Sequence, residues 1–220
     1  MSAAKPVRLE DRVCFHCTRC GNCCRDLEGQ LMLEPPDAYE LARYLRTQGR
    51  ADSIHDVYER YATVDLLEGN LPIYLMNTVG DDHACIFLKD GRCSVYEGRP
   101  QMCRIYPFFA CPGERGKAFE AFQCMDDHAA HFTDGKVLVK DWLHANFSKE
   151  RRAIMTAETV ALLELGRLLQ GVNFNEDKAG LFQILHYRYY NYDLDKPFLL
   201  QYISNMAALQ QFLRGRLGEV

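Results

Sequence analysis

The chain has 220 residues, with 26 basic and 30 acidic side chains and a net charge of −4 when histidine is neutral. Its content of 48% hydrophobic and 25% charged residues is that of a globular protein with a sizeable core, which excludes disorder as a description of the whole. No apolar run approaches the roughly 20 residues that span a membrane, and the mild acidity gives no electrostatic reason to bind nucleic acid. We therefore expect neither a membrane nor a nucleic-acid partner.

Short elements are predicted for the first half of the chain. A proline pair in a first helical turn, a serine N-cap and terminal glycines mark two helices, and an Asp-Gly pair marks a hairpin turn. The predicted elements are an extended piece at 29–33, a helix from Pro35 to Gly49, a helix from Ser53 to about Leu67, strands at 72–79 and 85–88, and a turn at Asp90–Gly91.

The second half is predicted to be a helical bundle. Apolar residues at helical spacing extend from 139 to 169, and Ser148 is expected to cap a second helix after a break at 146–148. Further helices are expected at 177–190 and from Lys196 onward. The predicted fold class is α+β, mainly α: a cysteine-rich, metal-organised region with short strands at 1–135, and a helical bundle at 136–220 packed against it.

All ten cysteines lie between residues 14 and 124. The first eleven residues hold no apolar segment of the kind found in secretory signals, so we expect a cytoplasmic location, where thiols stay reduced. Ten cysteines in a reducing compartment indicate metal binding rather than disulfides. The alternative is an exported domain stabilised by disulfide bonds, although a chain of this length does not need disulfides to be stable.

The densest signal is a run of five cysteines within eleven residues: Cys14, Cys17, Cys20, Cys23 and Cys24. A spacing of three lets a tight turn direct several sulfurs to one metal, and Gly21 supplies a turn residue. Because one tight turn presents about three sulfurs to a metal centre, we expect a distant cysteine to close the site. The candidates for that position, in order of preference, are Cys103, Cys111 and Cys124.

Two blocks of the sequence carry a family resemblance. They are Cys17-x2-Cys20-Gly21-x-Cys23-Cys24 and Cys85-x-Phe87-Leu88 through Arg99-Pro100-x2-Cys103-Arg104-x-Tyr106-Pro107. Over about residues 15–125 the chain resembles the YkgJ-type cysteine-cluster family, which is described as zinc- or iron-chelating and includes the flagellin lysine methylases. The resemblance implies that the metal ligands are Cys17, Cys20, Cys23, Cys24, Cys85, Cys93 and Cys103, with Cys111 fitting less tightly. It implies a lysine methylase-like activity only by analogy, so catalysis and its residues stay open.

A site made only of thiolates suits zinc or an iron–sulfur cluster. The Cys-x2-Cys-x2-Cys element resembles the run that wraps a 4Fe–4S cluster, and Cys111-Pro112 resembles the remote Cys-Pro ligand of that run. Zinc sites more often use two separated Cys-x2-Cys pairs, and that pattern is missing. The sequence therefore favours a 4Fe–4S protein with a redox or protein-modification role and a protein substrate or partner. The alternative is a zinc-stabilised interaction module without catalysis.

Two arginines are predicted to contact the cofactor. Four thiolates on Zn²⁺ or on a cluster of charge 2+ leave a local charge of −2, which Arg99 and Arg104 beside Cys103 would offset. The number of metal sites, the oligomeric state and the roles of Cys14 and Cys124 stay open. A mixed site that joins Cys124 to the His128-x2-His131 pair is a further candidate.

Overall fold

The computed structural model describes residues 4–67, 71–112, 119–124, 135–170, 172, 174 and 177–217. Most of the short strands lie in the N-terminal half and the longest helices in the C-terminal half, which confirms the predicted α+β class. No helix in these ranges is both long and apolar enough to cross a bilayer.

The described strands form small antiparallel sheets of two or three strands each. The strands are β1 (Ala4–Val7), β2 (Arg12–Cys14), β3 (Ala62–Leu67), β4 (Leu71–Met76), β5 (Thr78–Val79), β6 (Ala84–Cys85), β7 (Leu88–Lys89), β8 (Arg92–Cys93), β9 (Phe108–Cys111), β10 (Glu120–Cys124) and β11 (Lys136–Leu138). The sheet orders are β1-β10-β9, β11-β2, β3-β4, β5-β6 and β7-β8. The predicted Asp90–Gly91 turn is confirmed: both residues have positive φ, 50° and 71°, and they join β7 to β8.

Apart from α3, which the sequence did not predict, the described helices begin close to their predicted positions. They are α1 (Pro35–Arg46), α2 (Ile54–Tyr61), α3 (Gln101–Ile105), α4 (Val139–Asn146), α5 (Lys149–Leu168), α6 (Lys178–Ile184) and α7 (Phe198–Leu217), and a π-helical turn (Leu185–Tyr190) extends α6. The side chain of Ser148 accepts the Arg151 N–H at the start of α5, so the predicted break and cap are confirmed. Asp177 caps α6 in the same way, through the Gly180 N–H.

The prediction that the second helix continues to Leu67 is wrong. Ser53 starts α2 with a capping box shared with Asp56, but the backbone becomes extended at Ala62, with φ −139°. From there β3 pairs with β4 in an unbroken register from Ala62 opposite Met76 to Leu67 opposite Leu71. Because the β-branched Thr63 and Val64 fit a pleated ladder better than a helix, a strand replaces the last helical turns.

Several strands give no recognisable signal in the sequence. The strands β1, β2, β9, β10 and β11 are three to five residues long. The partners of β1 and β2 are far away in the chain, as for Ala4 opposite Cys124 and Cys14 opposite Lys136, whereas β9 pairs with the nearby β10. The extended piece expected at 29–33 is reduced to an isolated bridge between Met32 and Leu75. Such pairings depend on tertiary neighbours rather than on local pattern.

One hydrophobic core joins the two predicted regions, 1–135 and 136–220. It contains buried side chains from α1 and α2, such as Leu41 and Val57, together with Leu165 of α5 and Leu209 of α7. A second, smaller cluster lies around Ile105, β9, β10 and α4. The larger core also includes Cys85, and Cys24, Cys93 and Cys103 pack against it. The cysteine-rich segments are therefore anchored on the same core as the C-terminal helices.

We expect Gly98→Ala to destabilise the protein by about 1–3 kcal/mol, because a larger side chain overpacks this site. Gly98 is buried against α1, and a Cβ atom there would lie 2.7 Å from Cβ and Cγ of Tyr44. The matched control is Gly166→Ala on the exposed side of α5, where a Cβ would meet nothing within 4 Å. There the better helix propensity of alanine should add about 0.5–1 kcal/mol. Denaturant unfolding of both variants checks the prediction, and equal changes in the free energy of unfolding would contradict it.

Candidate metal centre

Six of the cysteines line one cavity of about 80 Å³: Cys17, Cys23, Cys24, Cys85, Cys93 and Cys103. They come from three parts of the chain, namely the cysteine run, the β6–β8 segment and α3. None of these six forms a disulfide. The structure thus brings together side chains that are up to 86 positions apart in the sequence, counting from Cys17 to Cys103.

The cysteine run folds as a tight turn against the β7–β8 hairpin. Gly21 has φ 77°, and the next three residues form a 3₁₀ turn (Asn22–Cys24) in which the Cys24 N–H donates to the Gly21 carbonyl at 3.0 Å. A Cβ at Gly21 would lie 2.6 Å from Cδ1 of Leu88 and 2.8 Å from the carbonyl oxygen of Gly91. Only glycine permits both the left-handed conformation and this close approach, which sets Cys23 and Cys24 at the cavity.

Backbone N–H groups point at the sulfurs of the hairpin segment. The sulfur of Cys85 accepts hydrogen bonds from the N–H groups of Phe87 and Leu88, and that of Cys93 accepts one from Val95. These donors favour the thiolate, which is the form of cysteine that binds metals. The local turns after β6 and β8 are therefore built to support thiolate ligands.

A buried carboxylate fixes the helix that carries Cys103. Asp37 of α1 accepts the backbone N–H of Gln101 at 3.0 Å and pairs with the guanidinium of Arg151 at 2.9 Å. The other end of α3 is held by Trp142 of α4, whose indole N–H donates to the Ile105 carbonyl at 3.1 Å. Helix α3 is short, so these contacts from α1 and α4, with Arg151 of α5 holding Asp37, decide where its cysteine lies.

The thiols of the cavity influence one another electrostatically. The thiol of Cys24 donates to the sulfur of Cys23, which lowers the pKa of Cys23 and raises that of Cys24. Burial raises the pKa values of Cys85, Cys93 and Cys103, and the charges of neighbouring cysteines raise them further. Several thiolates therefore cannot be charged together here without a cation among them.

The two arginines predicted to contact the cofactor both line the cavity. The guanidinium carbon of Arg99 lies 3.6 Å from the centre of the Tyr96 ring, and its N–H donates to the Tyr96 carbonyl. Arg104 donates to the carbonyl oxygens of Arg99, at 2.9 Å, and of Glu97. Desolvation by burial and the charges of Arg99 and Arg151 lower the pKa of Arg104. Keeping Arg104 charged beside two other guanidinium groups costs free energy, and negative charge in the cavity would offset that cost.

Three further sequence candidates do not line the cavity. Cys20 is exposed and does not line the cavity, and Cys14 and Cys111 are exposed on β2 and β9. Cys124 ends β10 opposite Ala4. The His128-x2-His131 pair lies outside the described residues.

The donor set of the cavity fits a soft metal centre. All of its candidate ligands are thiols, and N–H donors and guanidinium groups surround them. Within the described ranges, no three cysteine, histidine or acidic side chains are close enough together to enclose a single metal ion. The cavity therefore offers the right ligand chemistry with the sulfurs spread around it.

Sequence reasoning missed the residues that support the cavity. Asp37 carries the signature of an ordinary acidic residue in a first helical turn, and nothing local shows that it caps a helix 64 positions later. The ring of Trp142 also lines the cavity, 5.3 Å from that of Phe15. For Tyr96, which also lines the cavity, the position between Cys93 and Arg99 in the sequence could have indicated that it lies near the thiols.

A comparison with protein-family models matches the chain to the CxxCxxCC family, described as "Putative zinc- or iron-chelating domain". The match covers residues 16–129, which is more than half of the chain and includes every cysteine of the cavity. Neither a curated protein nor a solved structure matches the chain.

We expect Cys103→Ser to lose bound metal, because serine keeps the size of the side chain but is a poor ligand for soft metals. Cys14→Ser is the matched control, since Cys14 is exposed on β2 and does not line the cavity. Metal content per chain, measured on both purified proteins by mass spectrometry, checks this. Full metal content in Cys103→Ser would remove that residue from the ligand set.

We expect Asp37→Ala to destabilise the protein by about 3 kcal/mol, because it leaves a partly buried guanidinium and a buried N–H without their acceptor. Asp195→Ala is the control, since the Asp195 side chain is 76% exposed in its pair with Arg46. An exposed pair contributes less than about 1 kcal/mol. Thermal and denaturant unfolding compare the two, and similar losses of stability would show that Asp37 does not anchor α3.

Proposed function

Because the chain belongs to the CxxCxxCC family, we propose that its thiol cavity binds an iron–sulfur cluster and that the protein supports redox or protein-modification chemistry. The observation that carries the proposal is the convergence of six cysteines from three chain segments on one cavity. The family description supports metal binding in general, with zinc or iron as the metal.

The spacing of the thiols favours a cluster over a single ion. A zinc ion binds thiolates at about 2.3 Å, so its four sulfurs lie in contact with one another. The described residues contain no such compact group of three ligands, although six thiols line the cavity. A polynuclear cluster places iron and sulfide between its cysteine ligands, which therefore lie further apart than those of one ion.

The proposed ligands are the five thiols that influence one another's charge: Cys23, Cys24, Cys85, Cys93 and Cys103. Cys17 lines the same cavity but is exposed. A four-iron cluster takes four cysteine ligands, so this set is sufficient for one cluster without Cys20 or Cys111. Cys20 and Cys111 remain predicted ligands, but neither lines the cavity.

A bound cluster would supply one-electron redox chemistry. The chain would hold it through thiolates whose orientation is fixed by the N–H groups of Phe87, Leu88 and Val95. Arg99 and Arg104 would offset its negative charge. A reducing, cytoplasmic environment and a protein substrate or partner belong to the same proposal.

Zinc is the second candidate, favoured by the contact between the thiols and the main core. Cys85 lies in that core and Cys24, Cys93 and Cys103 pack against it, so a metal here would tie three chain segments to the fold. A purely structural zinc site performs the same task in small domains. In that case the protein would be an interaction module without redox chemistry.

We expect the protein purified under anaerobic conditions to be brown, with broad absorbance near about 400 nm, and to contain iron and acid-labile sulfide in equal amounts. Cys14→Ser should keep this spectrum, whereas Cys85→Ser should lose it. Metal and sulfide analysis of the same samples checks the assignment. A colourless protein that holds stoichiometric zinc would replace the cluster by the zinc module.

A further inference from the structure

A second and larger cavity, of about 580 Å³, shares Arg104 with the thiol cavity. Its walls come from α1, α3, the junction of α4 and α5, residues 194–197 and the first residue of α7. Cavities of 300–1,000 Å³ are the usual size of small-molecule sites. None of its lining side chains is a cysteine, so it is chemically distinct from the metal centre.

A buried acceptor without a donor lies in the wall of this cavity. Gln101 is only 6% exposed. Its Nε2 donates to the Asn146 carbonyl at 2.9 Å, and its backbone N–H donates to Asp37. Its Oε1 has no hydrogen-bond partner among the described residues. Since a buried polar atom without a partner costs free energy, this oxygen indicates that a donor from a bound molecule belongs there.

A cation without an acidic partner lies one turn further along the same helix. Arg104 follows Gln101 by three positions, so the two side chains are on the same face of α3. Two of its N–H groups donate to backbone carbonyls, and no ion pair joins it to a carboxylate within the described part of the chain. Its remaining N–H groups suit the planar oxygens of a carboxylate.

The rest of the lining is mixed in character. The other basic side chains of the lining already have acidic partners: Arg43 pairs with Glu40, Arg151 with Asp37 and Lys196 with Asp193. Glu150 and Asp195 add negative charge to the same lining. Apolar surface comes from side chains of α5 and of the segment that enters α7, such as Ile154 and Phe198. A ligand here therefore meets a guanidinium, an unpaired acceptor and an apolar wall within one cavity.

We infer that this cavity binds a small carboxylic acid that carries a hydrogen-bond donor on the adjacent carbon and an apolar substituent, as α-amino and α-hydroxy acids do. The carboxylate pairs with Arg104, the amino or hydroxyl group donates to Oε1 of Gln101, and the substituent packs against the apolar wall. The inference goes beyond the proposed metal centre and holds for either metal.

Three ligands of one skeleton test the inference on the metal-loaded protein. L-phenylalanine has an ammonium group beside its carboxylate, L-phenyllactate has a hydroxyl group, and 3-phenylpropionate has only hydrogen. Isothermal titration calorimetry should show that one or both of the first two bind about tenfold more tightly than 3-phenylpropionate, because only they satisfy Gln101. The tighter of the two identifies the class of acid. Equal affinity for all three, or binding of none, overturns the inference.

A variant then locates the binding. Gln101→Met removes the acceptor at similar size and should abolish the tenfold preference, whereas Arg167→Gln, an exposed change near the far end of α5, should keep it. A preference unchanged in Gln101→Met overturns the assignment. Should Gln101→Met fail to fold, the three-ligand comparison on the unaltered protein decides on its own. Metal content measured on each sample separates failure of this cavity from failure of the metal centre.

Discussion

The buried carboxylate of Asp37 organises the functional half of the molecule. It accepts the first N–H of α3 and pairs with Arg151 of α5, and thereby fixes a five-residue helix that would not be stable alone. That helix carries Cys103 into the thiol cavity and Gln101 into the larger one, while Arg104 lines both. Two chemically different cavities consequently depend on one interaction between α1, α3 and α5.

In the thiol cavity, burial and the surrounding polar groups have opposite effects on the thiols. Its cysteines pack against the main core, where burial disfavours thiolates, yet backbone N–H groups and two arginines favour negative charge at the same place. A metal centre resolves this conflict, because it supplies the positive charge that several neighbouring thiolates require. A metal bound by these thiols would link the cysteine run, the hairpin segment and α3.

The C-terminal helices do more than cover the core. Arg188, which is 1% exposed, pairs with Glu34 at the start of α1 at 2.7 Å and donates to the Tyr189 hydroxyl. The Arg188–Glu34 ion pair holds the start of α1 against the C-terminal helices. Helix α1 in turn places Asp37 against α3 and Tyr44 against Gly98. The bundle thus acts on the cysteine half through α1, by packing and by an ion pair, and through Trp142 of α4, which donates to α3 and lines the thiol cavity.

The sequence by itself determined the helices with strong caps, the Asp90–Gly91 hairpin and the ligand chemistry of the chain. These follow from local features: side-chain caps, positive φ at a turn, and a cysteine spacing typical of metal binding. Only the tertiary structure decided that Ala62 starts a strand, that Cys111 lies apart from the cavity that Cys103 enters, and that Asp37 caps a helix 64 positions away. Those outcomes depend on partners distant in the chain, and local sequence patterns carry no information on which distant segments meet.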